Sequence, residues 1–153
     1  MEKYKTLSAV MVFLIKTNGD KKQILLQKRQ NTGFADGMWD LSYAGHVEYK
    51  ESMKQTAVRE GKEELGVEIA LEDLKFVTLI HKRDEACDVT YYNGYFCTEK
   101  YIGEPTICEP YKCSQIKWFD ITDLPENLIN DRKVAIKAYF NGTPYIEYGW
   151  GNN

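Results

Sequence analysis

From Thr6 to Lys16 the chain is rich in Val, Leu, Ile and Phe. Such a run reads as a buried strand, not as one that alternates between core and water. The polar Lys16-Thr17-Asn18-Gly19-Asp20 follows with no small-residue cleavage site, so a strand is preferred to a secretion leader. Asn18-Gly19-Asp20 is a turn signal, and Gln23 to Arg29 reads as the hairpin partner. Residues 30–50 carry Gly33, Gly37 and Gly45 with little periodicity and are expected to form a long structured loop. Loops of that length in compact domains are usually functional. A helix is expected over Ser52 to Leu65, with Ser52 and Gln55 forming a capping box and Gly66 the stop. Lys75 to His81, Asp88 to Thr98 and Ser114 to Phe119 read as strands, Asp131 to Phe140 as a second helix, and Pro144 to Tyr148 as a last short strand. This order points to an α/β fold with a mixed sheet between helices, and the absence of repeats or linkers to one domain over 1–153.

Composition narrows the function classes. At 43% hydrophobic and 28% charged residues the chain is globular, not disordered. A domain of this length buries about two-thirds of its unfolded surface and needs no disulfide or structural metal. Its four cysteines, Cys87, Cys97, Cys108 and Cys113, form no Cys-x-x-Cys pair and are expected to be free cytoplasmic thiols. A net charge of −3 offers no basic surface for a nucleic-acid polymer, though a small phosphate ligand needs only a local site. No apolar run approaches the roughly 18 residues of a membrane span. Oligomeric state is open, with a homodimer allowed.

The chemistry is concentrated between Gly45 and Gly66. On the expected helix Glu60, Glu63 and Glu64 stand at i, i+3 and i+4 and share one face. Ala57, Val58, Gly61 and Leu65 occupy another, centred roughly 120° away, which can pack on the sheet. Like charges at such spacings repel by a few tenths of a kcal/mol per pair. A solvated acidic face is one reading; a hard divalent cation held by carboxylate oxygens is the other. Glu51 and Arg59, eight residues apart, could pair and lock the loop to the helix.

The whole string decides between them: Gly45, five residues, Glu51, seven residues, Arg59-Glu60, two residues, Glu63-Glu64, one residue, Gly66. It resembles the signature of the Nudix hydrolase family, the MutT-like pyrophosphohydrolases. The resemblance implies a Nudix-like α/β/α sandwich with a mixed, mainly antiparallel sheet. It also implies Mg²⁺-dependent hydrolysis, with Mn²⁺ as a substitute, of a nucleoside diphosphate linked to another group. By the same resemblance Glu60, Glu63, Glu64 and the Gly45 carbonyl bind metal, and Glu51 and Arg59 form the supporting ion pair. Glu60 is the first candidate for the base that deprotonates the attacking water, and Glu109 the second.

Two departures from the family pattern stand out. Position 61, usually aliphatic, is glycine, which costs about 1 kcal/mol inside a helix and so implies close approach of a neighbouring group. Before the motif, Asp40-Leu41-Ser42-Tyr43-Ala44-Gly45-His46 lacks the frequent Pro-Gly-Gly and looks like a string in isopentenyl-diphosphate isomerase relatives. Those need a cysteine near the motif, and none precedes Cys87. The proline and tyrosine that mark ADP-ribose and dinucleoside polyphosphate hydrolases are missing after Val67, which leaves a nucleoside triphosphate as the default substrate. An NDP-sugar hydrolase and a non-catalytic nucleotide-binding module are the alternatives. Arg29 is a candidate phosphate ligand, against a solvated strand-end charge. Phe34 and Trp39 are candidates for stacking on a base, though a Trp at the Trp39 position of such a loop is more often a core anchor. Tyr91, Tyr92, Tyr95 and Phe96 read as packing, and His46 and His81 as structural histidines.

Overall fold

The computed structural model describes residues 1–151, so the last two residues of the expected 1–153 span lie outside the described residues. Eight strands form one sheet: β1 (Leu7–Asn18), β2 (Lys21–Arg29), β3 (Trp39–Leu41), β4 (Tyr43–His46), β5 (Lys75–Asp84), β6 (Val89–Thr98), β7 (Cys113–Asp120) and β8 (Tyr145–Tyr148). Two helices accompany it, α1 (Met53–Leu65) and α2 (Asn130–Asn141). The sheet runs β3-β2-β1-β6-β5-β8, with β4 also pairing with β1 and β7 with β2. Only β1–β6 and β5–β8 are parallel, so the sheet is mixed and mainly antiparallel.

Strand β1 is apolar throughout because both of its faces are covered. Val10, Val12 and Leu14 face Tyr43, Ala57 and Leu65 beneath α1. Ala9, Met11, Phe13 and Ile15 face Tyr95, Ala135 and Ile136 beneath α2. The result is the expected α/β/α sandwich. Along one edge β1 serves two partners: Ala9–Val12 pairs with β4, and Ile15–Asn18 with β2. The sheet therefore splits between these partners, and β4 leads directly into the helix that carries the acidic residues.

Two sequence expectations need correction. Residues 30–50 are not one loop, since β3 and β4 lie within them. Each is only three or four residues long and is held by pairing to β2 or β1, so neither carries a local periodic signal. Strand β5 runs three residues past His81 to Asp84, which places Lys82 in the sheet. Helix ends, by contrast, match closely. Ser52 Oγ accepts from the Gln55 N–H, the Ser52 N–H donates to Gln55 Oε1, and Gly66 ends the helix with φ +69°. The four cysteines are free. No helix among the described residues is long and apolar enough to cross a membrane.

Candidate active site

The turn before α1 is folded around one carboxylate. Glu51 accepts from the Glu48 N–H at 3.1 Å, Thr56 Oγ1 at 2.7 Å, and Arg59 Nε and Nη2 at 2.8 and 3.1 Å. These bonds, those from Arg59 first, hold its pKa down to about 2. The fork-on-fork contact is the expected Glu51–Arg59 pair, and bidentate geometry makes it the strong kind. Arg59 Nη2 also donates to the His46 carbonyl at 3.3 Å, so the loop, β4 and helix are tied at one guanidinium.

Arg59 gathers the acidic face as well. Its Nη1 lies 2.8 Å from Glu60 Oε1 and 3.3 Å from Glu63 Oε2. The Glu60 carboxyl packs directly on Gly45, where an added Cβ would fall on top of it. Burial raises the pKa of Glu60, against the opposing pull of Arg59. Glu64, one turn on, accepts the Ala44 N–H at 3.1 Å. Burial pushes its pKa up to about 8, with the neighbouring Glu60 charge adding to the effect. Glu109 sits on the segment after β6 that caps the helix end, where the Thr106 and Cys108 N–H groups donate to the Leu65 and Glu64 carbonyls. Its charge adds to the rise at both Glu60 and Glu64, and its nearest cation is Lys112 at 3.6 Å.

The donor chemistry here fits a hard divalent cation. Two carboxylates already share one positive group, a third is half-buried without one, and the absence of a side chain at Gly45 lets the Glu60 carboxyl lie against the backbone. In the present arrangement no three Asp, Glu, His or Cys side chains among the described residues converge in ligand geometry. The Arg59 guanidinium stands between Glu60 and Glu63 instead.

A cleft of about 660 Å³ opens beside this cluster, on the α2 face of the sheet. Gly45, His46 and Glu64 line one end, and Arg29, Phe34, Lys82, Asn93 and Arg132 line the rest. Arg29 spends its guanidinium on Asp40 (3.0 Å), the Phe34 carbonyl (2.8 Å) and Thr32 (3.1 Å). Phe34 is exposed at the rim. Trp39 is not at the cleft. It is buried in the core, edge-on to Phe119 at 4.9 Å, and so fulfils the core-anchor reading instead of stacking on a base. Tyr95 and Phe96 are buried as expected, and Tyr92, though at the surface, packs across the strands on the His81 ring at 4.5 Å.

Sequence reasoning missed the ionic wall behind the cleft. Fully buried Asp40 accepts from Arg29 and, at 2.7 Å, from Arg132 Nε. Arg132 Nη1 donates to Asp131 and to the Tyr95 hydroxyl, each at 3.1 Å, and Lys82 donates to Asp131 at 3.1 Å. Burial alone would raise the Asp40 carboxyl, yet the two guanidiniums hold it below the usual range. Asp40 and Arg132 lie 92 positions apart, so no local signal marks them.

The NUDIX domain family model matches residues 5–139. The fold is similar to the crystal structure of a MutT NUDIX hydrolase from Burkholderia pseudomallei, with TM-score 0.77, 24% identity, and coverage of 88% of this chain and 98% of that one. It is also similar to a NUDIX hydrolase from Nitrosomonas europaea (TM-score 0.71, 21% identity, 93% of each chain). A third similar structure is the NUDIX domain of Shewanella oneidensis NrtR complexed with ADP ribose (TM-score 0.72, 19% identity, 92% and 90%).

Proposed function

The chain belongs to the NUDIX domain family, and from that premise we propose that it hydrolyses (deoxy)nucleoside triphosphates in a Mg²⁺-dependent reaction, releasing a nucleotide and pyrophosphate or phosphate. The observation that carries this reading is the gathering of Glu60 and Glu63 around one Arg59 nitrogen, with Glu64 behind them and Gly45 packed against the Glu60 carboxyl.

Water attacks a phosphorus, a new P–O bond forms, and the bridging P–O bond breaks with its electrons leaving on the departing phosphate. Glu60, Glu63, Glu64 and the Gly45 carbonyl would hold the cation, which would neutralise the phosphate oxygens, lower the pKa of water and steady the leaving group. Glu60 receives the proton of the attacking water, with Glu109 the second candidate, since both lie in the same acidic field. Glu51 fixes Arg59, and the Ala44 N–H fixes the Glu64 carboxylate, so the acidic face is held before substrate arrives. Arg29 and Phe34 stand at the cleft that would receive the nucleotide.

Because the Shewanella NUDIX domain was seen with ADP ribose, the test panel includes a diphosphate-linked sugar. Nucleotide products are separated and quantified by anion-exchange chromatography for the four nucleoside triphosphates, ADP-ribose and a UDP-sugar, with Mg²⁺ and with EDTA. Turnover of triphosphates that EDTA abolishes supports the reading. Turnover of the diphosphate sugars alone reassigns the substrate. Silence on every substrate with the fold intact leaves a nucleotide-binding module in its place.

A further inference from the structure

We infer that the Asn93 carboxamide, on the floor of the cleft, selects the substrate by the hydrogen-bonding edge of its nucleobase. The inference rests on the nucleotide reading above and deepens it. Asn93 is 3% exposed, and its Oδ1 has no hydrogen-bond partner among the described residues. Among the described residues three side chains carry such a buried, unpartnered oxygen, the others being Tyr43 and Thr78, and of these only Asn93 lines the cleft. Leaving a buried amide oxygen unbonded is costly, and buried polar groups in native proteins are nearly always satisfied. A ligand that brings an N–H to this point removes the cost.

Position and chemistry favour a base at this site. In the strand registers Ala9 pairs with His46 on one side and with Asn93 on the other. The three therefore lie in a row across the sheet, which puts Asn93 two interstrand spacings, about 10 Å, from the end of β4 that touches the acidic cluster. That separation suits a ribose and a short phosphate chain laid between them. A second anionic group is a poor occupant, because the cations of this wall are already engaged: Arg29 by Asp40, Arg132 by Asp40 and Asp131, and Lys82 by Asp131. A flat heterocycle suits the site better. A carboxamide presents a donor and an acceptor side by side, the pattern by which asparagine reads adjacent groups on a base edge. Tyr91, whose ring lies 5.8 Å from that of His46, and exposed Phe34 supply stacking surfaces at the rim.

The test is binding, which does not depend on turnover. Calorimetry with AMP, GMP, CMP and UMP is run on the wild type, Asn93→Leu and the near-isosteric Asn93→Asp, with Mg²⁺-pyrophosphate as a probe that lacks a base. The wild type is expected to favour one base over the weakest by tenfold or more. Both variants should lose that preference by a similar factor while binding pyrophosphate as the wild type does. Thermal unfolding checks that each variant is folded, and Asn93→Asp carries the test if Asn93→Leu is not. An absent preference in the wild type, a preference that survives both substitutions, or an equal loss of pyrophosphate binding would overturn the inference. Failure of the hydrolase reading shows itself separately, as absent turnover in the substrate panel with base-selective binding intact.

Discussion

The acidic residues between positions 51 and 64 differ sharply in what they do for the fold. Glu51 accepts four hydrogen bonds from its own segment, three of them from side chains. Replacing it with Gln removes the charge that Arg59 grips, so Glu51→Gln should cost about 1–3 kcal/mol and lower the melting temperature. Glu64 works the other way, adding repulsion to a crowded face, and exposed Glu63 sets its contact with Arg59 against repulsion of Glu60. Glu63→Gln and Glu64→Gln should each lower Mg²⁺-dependent turnover by at least about a hundredfold, since the bound cation's stabilisation is worth several kcal/mol. Their melting temperatures without metal should hold or rise. Wild-type turnover in both variants would remove them from the metal-binding role. The sequence exposed this cluster because the Glu51–Arg59 pair and the acidic triplet are all local. It hid Arg132 and Asp40, whose contact exists only once α2 has folded back over the sheet.

At the scale of elements, α1 was legible to its ends, because a capping box and a left-handed glycine act over three or four residues. Strands β3 and β4 were not, because their existence depends on β1 and β2 being in place. The glycine within α1 shows both cases at once. Its presence at 61 announced that something bulky must approach, but not what. A Cβ at 61 would lie 3.2 Å from the Tyr43 ring and hydroxyl and 3.5 Å from Ile69 Cδ1. Tyr43 is fully buried on β4, where the family's frequent Pro-Gly-Gly is missing, so the ring fills the volume that glycine leaves. Gly61→Leu should therefore overpack the interface and cost about 1–3 kcal/mol. Combining it with Tyr43→Val should recover part of the loss, because the pair shares one volume and its energies are not additive. Thermal melts of both singles and the double variant give the coupling. Additive losses would mean that the two side chains do not compete for space.

Across the whole molecule, site and stability are coupled through protons. The Glu64 pKa rises from 4.5 to about 8 on folding, because burial and the Glu60 charge disfavour its ionised form. A carboxyl raised in this way binds more protons in the folded state. Its contribution is complete below about 4.5 and is lost as pH climbs through about 8. Glu51 has the opposite sign, depressed from 4.5 to about 2, so its contribution is present above 4.5 and lost as pH falls toward 2. Together these two groups place the stability maximum of the metal-free protein near pH 5, with a decline toward pH 8. Adding a divalent cation supplies the charge that ionised Glu64 lacks, so saturating Mg²⁺ should raise the melting temperature more at pH 8 than at pH 5 and flatten the decline. Glu64→Gln should flatten it without metal. Calorimetric melts from pH 4 to 9, with Mg²⁺ and with EDTA, measure both effects. A metal-free melting temperature that rises between pH 5 and 8, in the wild type as in the variant, would show that Glu64 is ionised at no cost and that its burial does not tune the site.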